Sequence, residues 1–200
     1  MNTLTITIFG DSHCWFLSDV DDHELLIEGF HCIFQYFPFS GKSFDHFLTP
    51  KGYRDMQRVV SSGPDYLVVI LGGNSISTEV ERSTVLDQCS QFYENLYNEY
   101  LAVNPNGKII SSQLVMRYNK VPNKYNTPGP DDYRLFRNLV NRKINNIQHK
   151  HHMMMVAGPK LDKRKYFNRV GTHLTSEGYW KMFDLMISSI ACALRKDLLQ

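Results

Sequence analysis

The sequence predicts an α/β protein, a three-layer α/β/α sandwich whose central sheet is mostly parallel and five-stranded. Two observations predict this fold class. Apolar runs of strand length alternate with longer segments of helical period along the chain, an alternation typical of parallel sheets covered by helices. The strongest run, Tyr66–Leu71, is apolar at every position, as expected of a strand that is buried on both faces.

Five segments have the composition of β-strands, and most of them stop at a glycine or a proline. β-Branched and aromatic residues are frequent in them, which favours extended structure. The turn signals that end them include Gly10, Pro38, Gly72-Gly73 and Gly158-Pro159. In chain order, the predicted strands are Leu4–Phe9, Phe30–Phe37, Tyr66–Leu71, Lys108 to about Val115, and His152–Ala157.

Three longer segments carry apolar residues at helical spacing and are predicted to be helices. The first follows Thr78-x-x-Glu81, which has the pattern of a capping box. The second is introduced by Pro128-Gly129-Pro130, and the third follows Thr175. Each predicted helix follows or precedes a strand, so the chain has the order expected of a layered α/β fold.

The composition is that of an ordinary globular domain. The 200 residues suit a single domain spanning residues 1–200, which is long enough to bury an apolar core. Hydrophobic residues make up 42% and charged residues 21%, close to the average soluble protein. With 22 basic and 20 acidic side chains the net charge is +2. This balance argues against a strongly basic surface that would bind nucleic acid.

The cysteines and the N-terminus indicate where the protein is found. The 4 cysteines form no CxxC pair, which argues against a zinc knuckle or a redox motif and fits a reducing compartment. The first residues lack the basic and apolar regions of a signal peptide, and no window reaches membrane-spanning length. We therefore expect a soluble, cytoplasmic protein or a domain of one.

Polar, glycine-containing clusters follow the predicted strands, at the sheet edge where parallel α/β folds place their sites. The first strand is followed by Gly10–His13, the second by a loop containing Gly41, and the third by Gly72–Ser75. A serine after such a turn can direct its hydroxyl into the crevice, although Ser12 would equally serve as a helix cap. His173 stands just before the last predicted helix, which fixes its position.

In this order, these clusters resemble the sequence blocks of the SGNH (GDSL-type) hydrolase family, which carry Ser, Gly, Asn and His. The resemblance covers the whole chain and implies a flavodoxin-like topology and a serine esterase. The G-x-S-x-G elbow of the α/β-hydrolases is not present in the sequence. The matching segments are Gly10-Asp11-Ser12, Gly41, Gly72-Gly73-Asn74 and Gly171-Thr172-His173-Leu174.

The resemblance assigns a role to each of these residues. Ser12 would be the nucleophile, and His173 would act first as its base and then as the acid for the leaving alcohol. The backbone N–H groups of Ser12 and Gly41 and the side-chain amide of Asn74 would form the oxyanion hole. Asp11 and Gly73 would support these groups. The substrate would be a small acyl ester or a lipid, and the chemistry implies no cofactor and no metal.

Two departures from the family pattern leave a second function open. The family usually has Asp three residues before the histidine, where this chain has Val170, and Asp after the asparagine, where it has Ser75. A backbone carbonyl or a carboxylate such as Asp162 would then have to orient His173. The alternative function is a catalytically weak or inactive module that binds a lipid or carbohydrate ester. A nucleotide-binding protein of the same layered fold is disfavoured, because Gly10–Trp15 is too acidic and bulky to cradle phosphate.

Three further features carry expectations. The irregular segment Arg117–Pro130 has the length of a functional loop or lid. Together with Tyr133-Arg134-x-x-Arg137-x-x-x-Asn141 it resembles the esterase domains in the first open reading frame of some LINE-type retrotransposons. That context implies an RNA-associated protein and lipid membranes as partners, with no direct nucleic-acid binding by this domain. We expect the histidines near residues 149–152 to be solvated rather than to bind metal.

Overall fold

The computed structural model describes residues 2–19, 23–118, 128–151, 154–157, 161 and 163–198 of the chain. Within these ranges six strands form one sheet, in the order β2-β3-β1-β4-β5-β6 when numbered along the chain. All neighbouring strands are parallel except the antiparallel pair at the edge, β2 and β3. The strands are β1 (Thr3–Gly10), β2 (Glu24–Ile27), β3 (Phe30–Pro38), β4 (Tyr66–Ile70), β5 (Lys108–Ser112) and β6 (Met154–Ala157).

The described helices pack in two groups around this sheet. α1 contacts α6, whereas α2, α3 and α4 contact one another and α5 contacts α4. Every residue of β4 is buried, which shows that the central strand is covered on both faces. The helices are α1 (Ser12–Ser18), α2 (Phe44–Leu48), α3 (Pro50–Val60), α4 (Arg82–Val103), α5 (Pro130–Lys150) and α6 (Ser176–Leu198). None of them is long and apolar enough to cross a membrane.

The predicted fold class is confirmed. All five predicted strands form a parallel sheet, and their order matches the flavodoxin-like arrangement in which the first strand lies between the second and the third. Strand β2 was not predicted, because this short run at the sheet edge has only one buried residue. The last strand begins at Met154, and His152, where we predicted its start, lies outside the described residues.

The predicted capping box before α4 is wrong. Helix α4 begins at Arg82 with Glu81 in the N-cap position, and the side chain of Glu81 makes no capping hydrogen bond. The backbone N–H of Glu79 instead donates to Oγ of Ser77, with 3.1 Å between the two atoms. This local turn competes with helix formation and delays the helix start. The prediction for α5 is confirmed, because Pro130 occupies its first turn.

Backbone hydrogen bonds fasten the ends of the three central strands to one another. The N–H of Asp11 donates to the carbonyl of Ile70 at 3.0 Å, and the N–H of Phe39 donates to the carbonyl of Gly10 at 2.7 Å. The loops that follow β1, β3 and β4 therefore leave the sheet side by side. This is the edge at which we predicted the functional site.

Candidate active site

The N-terminus of α1 is capped by Asp11, not by Ser12. Oδ1 of Asp11 accepts a hydrogen bond from the backbone N–H of His13 at 3.0 Å. Ser12 is the first residue of the helix, so its hydroxyl is not needed as the cap. The alternative in which Ser12 serves only as a helix cap is therefore wrong. The supporting role of Asp11 at the site stays a prediction.

Ser12 and His173 lie in contact although they are 161 positions apart in the chain, with Oγ of Ser12 3.0 Å from Nε2 of His173. This separation is that of a hydrogen bond between a nucleophile and its base. The loop before α6 holds the histidine in place, because the N–H of Asn168 donates to the carbonyl of His173 at 2.9 Å. The same loop is joined to the segment that follows β5 by a 2.8 Å bond from the N–H of Tyr118 to the carbonyl of Gly171.

The surroundings of His173 lower the pKa of its imidazole below the usual value. Partial burial is the largest cause, and the positive charge of Arg117 acts in the same direction. The negative charge of Asp11 opposes both. A neutral imidazole has a free nitrogen lone pair, so His173 is in the state that accepts a proton from a serine hydroxyl at neutral pH.

Position 170 does not supply an acidic partner for His173. Val170 is 64% exposed, and an alkyl side chain cannot stabilise an imidazolium ion. Within the described ranges, no carboxylate hydrogen-bonds to the Nδ1 atom of His173. Asp162, which we suggested as a substitute, lies outside the described residues. The group that orients the second nitrogen of His173 therefore stays a prediction.

The side chain of Asn74 is held by hydrogen bonds on both of its polar atoms. Its Nδ2 donates to the carbonyl of Lys42 at 3.1 Å, and its Oδ1 accepts from Nη2 of Arg117 at 2.8 Å. The amide nitrogen carries two N–H groups, so one of them remains for a ligand after the bond to Lys42. The oxyanion role of Asn74 stays a prediction that this geometry allows.

Gly41 lies in a tight turn beside Asn74. It has a φ of 75°, a left-handed conformation that side chains other than glycine disfavour. The N–H of Lys42 closes the turn on the carbonyl of Phe39 at 3.0 Å, and the carbonyl of Lys42 binds the Asn74 amide. The structure thus joins the Gly41 loop to Asn74. That the N–H of Gly41 donates a hydrogen bond to an oxyanion stays a prediction.

Ser75 has a structural role in place of the usual acidic residue. Its Oγ accepts a hydrogen bond from the N–H of Phe44 at 3.0 Å, in buried surroundings. That contact fastens the start of α2 to the loop after β4. At the second departure from the family pattern, the chain therefore has a serine that binds a neighbouring backbone group.

Sequence reasoning missed three polar residues that are buried around the site. Arg117 was predicted as the start of a functional loop or lid, and it is 1% exposed. Residues 119–127 of that loop lie outside the described residues. The other two are His13 and Tyr179, which are both buried. Nδ1 of His13 lies 3.1 Å from the hydroxyl oxygen of Tyr179. A lone arginine directly after the apolar run Leu114–Met116 was the available signal for Arg117.

The histidines near residue 150 do not form a metal site within the described part of the chain. His151 binds Oε1 of Glu94 through Nε2 at 3.2 Å, and its ring lies 4.0 Å from the ring of Tyr97. His149 is exposed, and His152 is outside the described residues. Among the described residues, no group of three potential ligands is arranged to hold a metal ion.

No protein-family model and no curated protein matches this sequence. Solved structures do match. A family 3 carbohydrate esterase from Talaromyces cellulolyticus superposes with a TM-score of 0.64 at 13% identity, covering 96% of this chain and 99% of that chain. A lipase/acylhydrolase from Enterococcus faecalis gives 0.64 at 14% identity, covering 96% and 97%. A family 3 carbohydrate esterase from Clostridium thermocellum gives 0.63 at 14% identity, covering 96% and 99%.

These proteins are two carbohydrate esterases and a lipase/acylhydrolase. At this level of identity, the likeness establishes the fold and leaves the activity to be argued from the site. Nothing in the comparisons supports the retrotransposon context suggested by the Arg117 and Tyr133 pattern. The chain therefore shares the fold of these esterases and of this acylhydrolase over nearly its whole length.

Proposed function

We propose that the protein is a serine esterase or deacylase that hydrolyses carboxylic esters, with Ser12 as nucleophile and His173 as general base. The observation that carries the proposal is the 3.0 Å contact between Oγ of Ser12 and Nε2 of His173. Its place at the carboxyl ends of parallel strands, in a fold shared with known esterases, supports the same function.

In the proposed reaction, Oγ of Ser12 attacks the carbonyl carbon of the ester while Nε2 of His173 takes the hydroxyl proton. The tetrahedral oxyanion accepts hydrogen bonds from the N–H groups of Ser12 and Gly41 and from Nδ2 of Asn74. The intermediate collapses when His173 returns the proton to the leaving alkoxide, which releases the alcohol and leaves an acyl-serine. Water, deprotonated by His173, then releases the carboxylic acid and restores the serine hydroxyl.

The oxyanion hole is expected to supply much of the rate enhancement. Removing one such donor typically costs about 3–4 kcal/mol in the barrier. Asn74 is the donor whose side chain can be changed without altering the backbone. We therefore expect Asn74→Ala to retain an intact Ser12–His173 pair and to lose about 10²–10³-fold in kcat.

The substrates that we propose are acyl or acetyl esters. A test measures hydrolysis of p-nitrophenyl acetate, butyrate and octanoate by the wild-type chain, by Ser12→Ala and by His173→Ala. Ser18→Ala is a matched control, because Ser18 lies on the same helix and its Oγ binds the carbonyl of Trp15 at the exposed surface. We expect both site variants to lose turnover and the control to retain it, with the circular dichroism spectra of all variants unchanged.

A fluorophosphonate probe provides a second test that does not depend on choosing the correct ester. The probe phosphonylates activated serines, so Ser12 of the wild-type chain should react and the peptide that contains it should gain the mass of the probe. Equal labelling of wild type and Ser12→Ala would contradict the assignment of the nucleophile. Loss of labelling in His173→Ala would support the role of the base.

The exposed Val170 favours a second candidate function, a weakly active or inactive module that binds an ester. Without an acidic partner the imidazolium that forms during attack is less stabilised, so turnover should be slow. In that case Ser12→Ala would bind the physiological ligand as well as wild type. Turnover that is the same in wild type and in both site variants would leave this binding function as the better conclusion.

A further inference from the structure

A buried arginine lies directly behind the predicted oxyanion donor. Arg117 follows β5 and is 1% exposed. Its Nη2 donates to Oδ1 of Asn74 across 2.8 Å, and its guanidinium carbon lies 5.9 Å from the centre of the Tyr133 ring. Within the described part of the chain, Nε and Nη1 of this arginine have no hydrogen-bond partner. Burying a cation costs free energy. A buried arginine therefore needs a structural or functional role inside the protein that offsets this cost.

The contact with Arg117 fixes which way the Asn74 amide faces. Arginine can only donate hydrogen bonds and a carbonyl can only accept them. The atom of Asn74 that faces Arg117 must therefore be the oxygen, and the atom that faces the carbonyl of Lys42 must be the nitrogen. Both contacts select the same orientation, in which the N–H groups lie on the side away from the arginine.

The arginine depends on a close approach to the neighbouring loop. A Cβ atom placed on Gly73 would lie 2.9 Å from Nη2 of Arg117, which is shorter than a normal contact. The glycine at this position therefore leaves room for the guanidinium to reach Asn74. This gives a physical reason for the supporting role that we predicted for Gly73.

We propose that Arg117 is a positioning residue of the oxyanion hole, and that it acts through Asn74. It holds the amide oxygen, so the Nδ2 hydrogens face the site before substrate arrives, and its buried charge polarises the amide toward stronger donation. The inference rests on the esterase proposal and adds to it the group that prepares the side-chain donor. Arg117 itself does not touch the reacting atoms.

The electrostatic surroundings of Arg117 agree with this role. A small cavity of about 10 Å³, enough for about one water, is lined by Arg117, Asp11, His13 and Tyr133 among others. Burial raises the pKa of the Asp11 carboxyl, and the charge of Arg117 opposes that rise. Burial lowers the pKa of His13, and the charge of Arg117 acts in the same direction. Arg117 also lowers the pKa of His173. One buried charge therefore acts on the amide donor and on the base.

The decisive experiment is a double-mutant cycle between Arg117 and Asn74. We would measure kcat and KM for p-nitrophenyl butyrate with wild type, Arg117→Met, Asn74→Ala and the double variant. In the protein that retains Asn74, Arg117→Met should lower kcat by about 10-fold or more at nearly unchanged KM. This loss is smaller than the ~10²–10³-fold in kcat that one whole oxyanion donor supplies. In the Asn74→Ala background, the same change should cost less than about 3-fold, because the amide through which Arg117 acts is gone.

Equal losses in the two backgrounds would overturn the proposal, because they would show that Arg117 does not act through Asn74. The pKa of His173, measured by NMR titration, gives a readout that needs no turnover. It should rise in Arg117→Met, because a nearby positive charge has been removed, and remain near the wild-type value in Arg117→Lys, which retains the charge. An unchanged pKa in Arg117→Met would contradict the placement of the charge.

A second variant keeps the test decisive if Arg117→Met does not fold. Gly73→Ala places a methyl group against Nη2, so it should displace the guanidinium slightly while the charge remains. We expect kcat to fall several-fold with no change in the pKa of His173, and wild-type kcat in a folded Gly73→Ala protein would count against the proposal. Failure of the esterase proposal would look different, because Ser12→Ala would then retain the activity of wild type.

Discussion

Nδ1 of His13 lies 3.1 Å from the hydroxyl oxygen of Tyr179, and this contact joins the residue after Ser12 to the helix that follows His173. The ring of Tyr179 stacks on Phe16 with centroids 5.1 Å apart. Phe16 in turn packs against the ring of His173 at 5.1 Å. The segments that carry Ser12 and His173 are therefore held together by packed aromatic rings as well as by the hydrogen bond between the two residues.

The first prediction concerns the pH dependence of stability at His13. Burial, and secondarily the charges of Arg117 and His173, lower the pKa of His13 to about 3, whereas an unfolded histidine titrates near about 6.5. Between these values the unfolded chain binds a proton that the native state does not. Protonation of His13 in the unfolded chain should therefore lower the free energy of unfolding by about 1.4 kcal/mol for each pH unit of acidification below about 6.5, until the native pKa of about 3 is reached.

The variant His13→Asn isolates this term, because an amide can keep a hydrogen bond to Tyr179 and does not titrate. Urea unfolding at pH 7, 6, 5 and 4 would give the free energy of unfolding of both proteins. We expect the wild-type value to fall more steeply with acidification than that of the variant. Curves that run parallel over this range would show that His13 is protonated as readily in the native state as in the unfolded chain.

The second prediction is the position of the acid limb of activity. His173 must be neutral to accept the serine proton, so kcat/KM should fall as the pH drops below the pKa of His173. Burial and Arg117 lower this pKa, which places the midpoint below the ordinary value of about 6.5. A pH profile of kcat/KM between pH 4 and 9 would test this. A midpoint clearly above pH 7 would indicate a carboxylate bonded to His173 that outweighs both effects.

Local turn chemistry and the resemblance to the family's sequence blocks together selected the candidate residues of the site. Glycines and polar residues directly after apolar strands placed Ser12, Gly41 and Asn74 at one edge of the sheet, because parallel strands have their carboxyl ends there. His173 was selected from the last sequence block, which ends just before a helix. The structure brings Ser12 and His173 into contact across 161 positions, as the resemblance implied.

The parts that could not be predicted depend on burial and on contacts between distant segments. From the sequence, Arg117 would be expected at the surface, because arginine is rarely buried. Only the packing of the loops after β4 and β5 brings it into contact with Asn74. His13 and Tyr179 are 166 positions apart, and no local pattern links them. The edge strand β2 was missed because only one of its residues is buried, so it has no clear alternation.

The third prediction restores the missing acidic residue. In Val170→Asp, a carboxylate three residues before His173 should stabilise the imidazolium and raise kcat by about 10-fold, a small part of the roughly 10⁴-fold seen for an optimised triad. Because an adjacent negative charge favours the protonated imidazole, the acid limb should also move to higher pH. Val170→Asn is the matched control, since it has a similar shape without the charge. Equal kcat and equal pH profiles for the two variants would show that position 170 cannot reach the base.

The fourth prediction assigns a role in substrate preference to Trp15. It lies three residues after Ser12 on the same helix, so the two side chains lie on one face, and its ring is 5.3 Å from that of Phe16, which contacts His173. At 51% exposed, it offers apolar surface at the edge of the site. Trp15→Ala should therefore raise KM for the octanoate ester roughly 10-fold, equivalent to about 1.4 kcal/mol, with little change for the acetate ester or in kcat.

Trp180 supplies the control for this prediction. It is exposed to nearly the same degree, at 52%, but its ring packs against Phe183 on α6 rather than against Phe16. Trp180→Ala should leave the KM values for both esters unchanged, because the lost surface is not continuous with the rings beside His173. If Trp15→Ala raised KM equally for acetate and octanoate, Trp15 would have to act on the ester group or on the packing of Phe16. Recognition of the acyl chain would then have to come from residues elsewhere around the crevice.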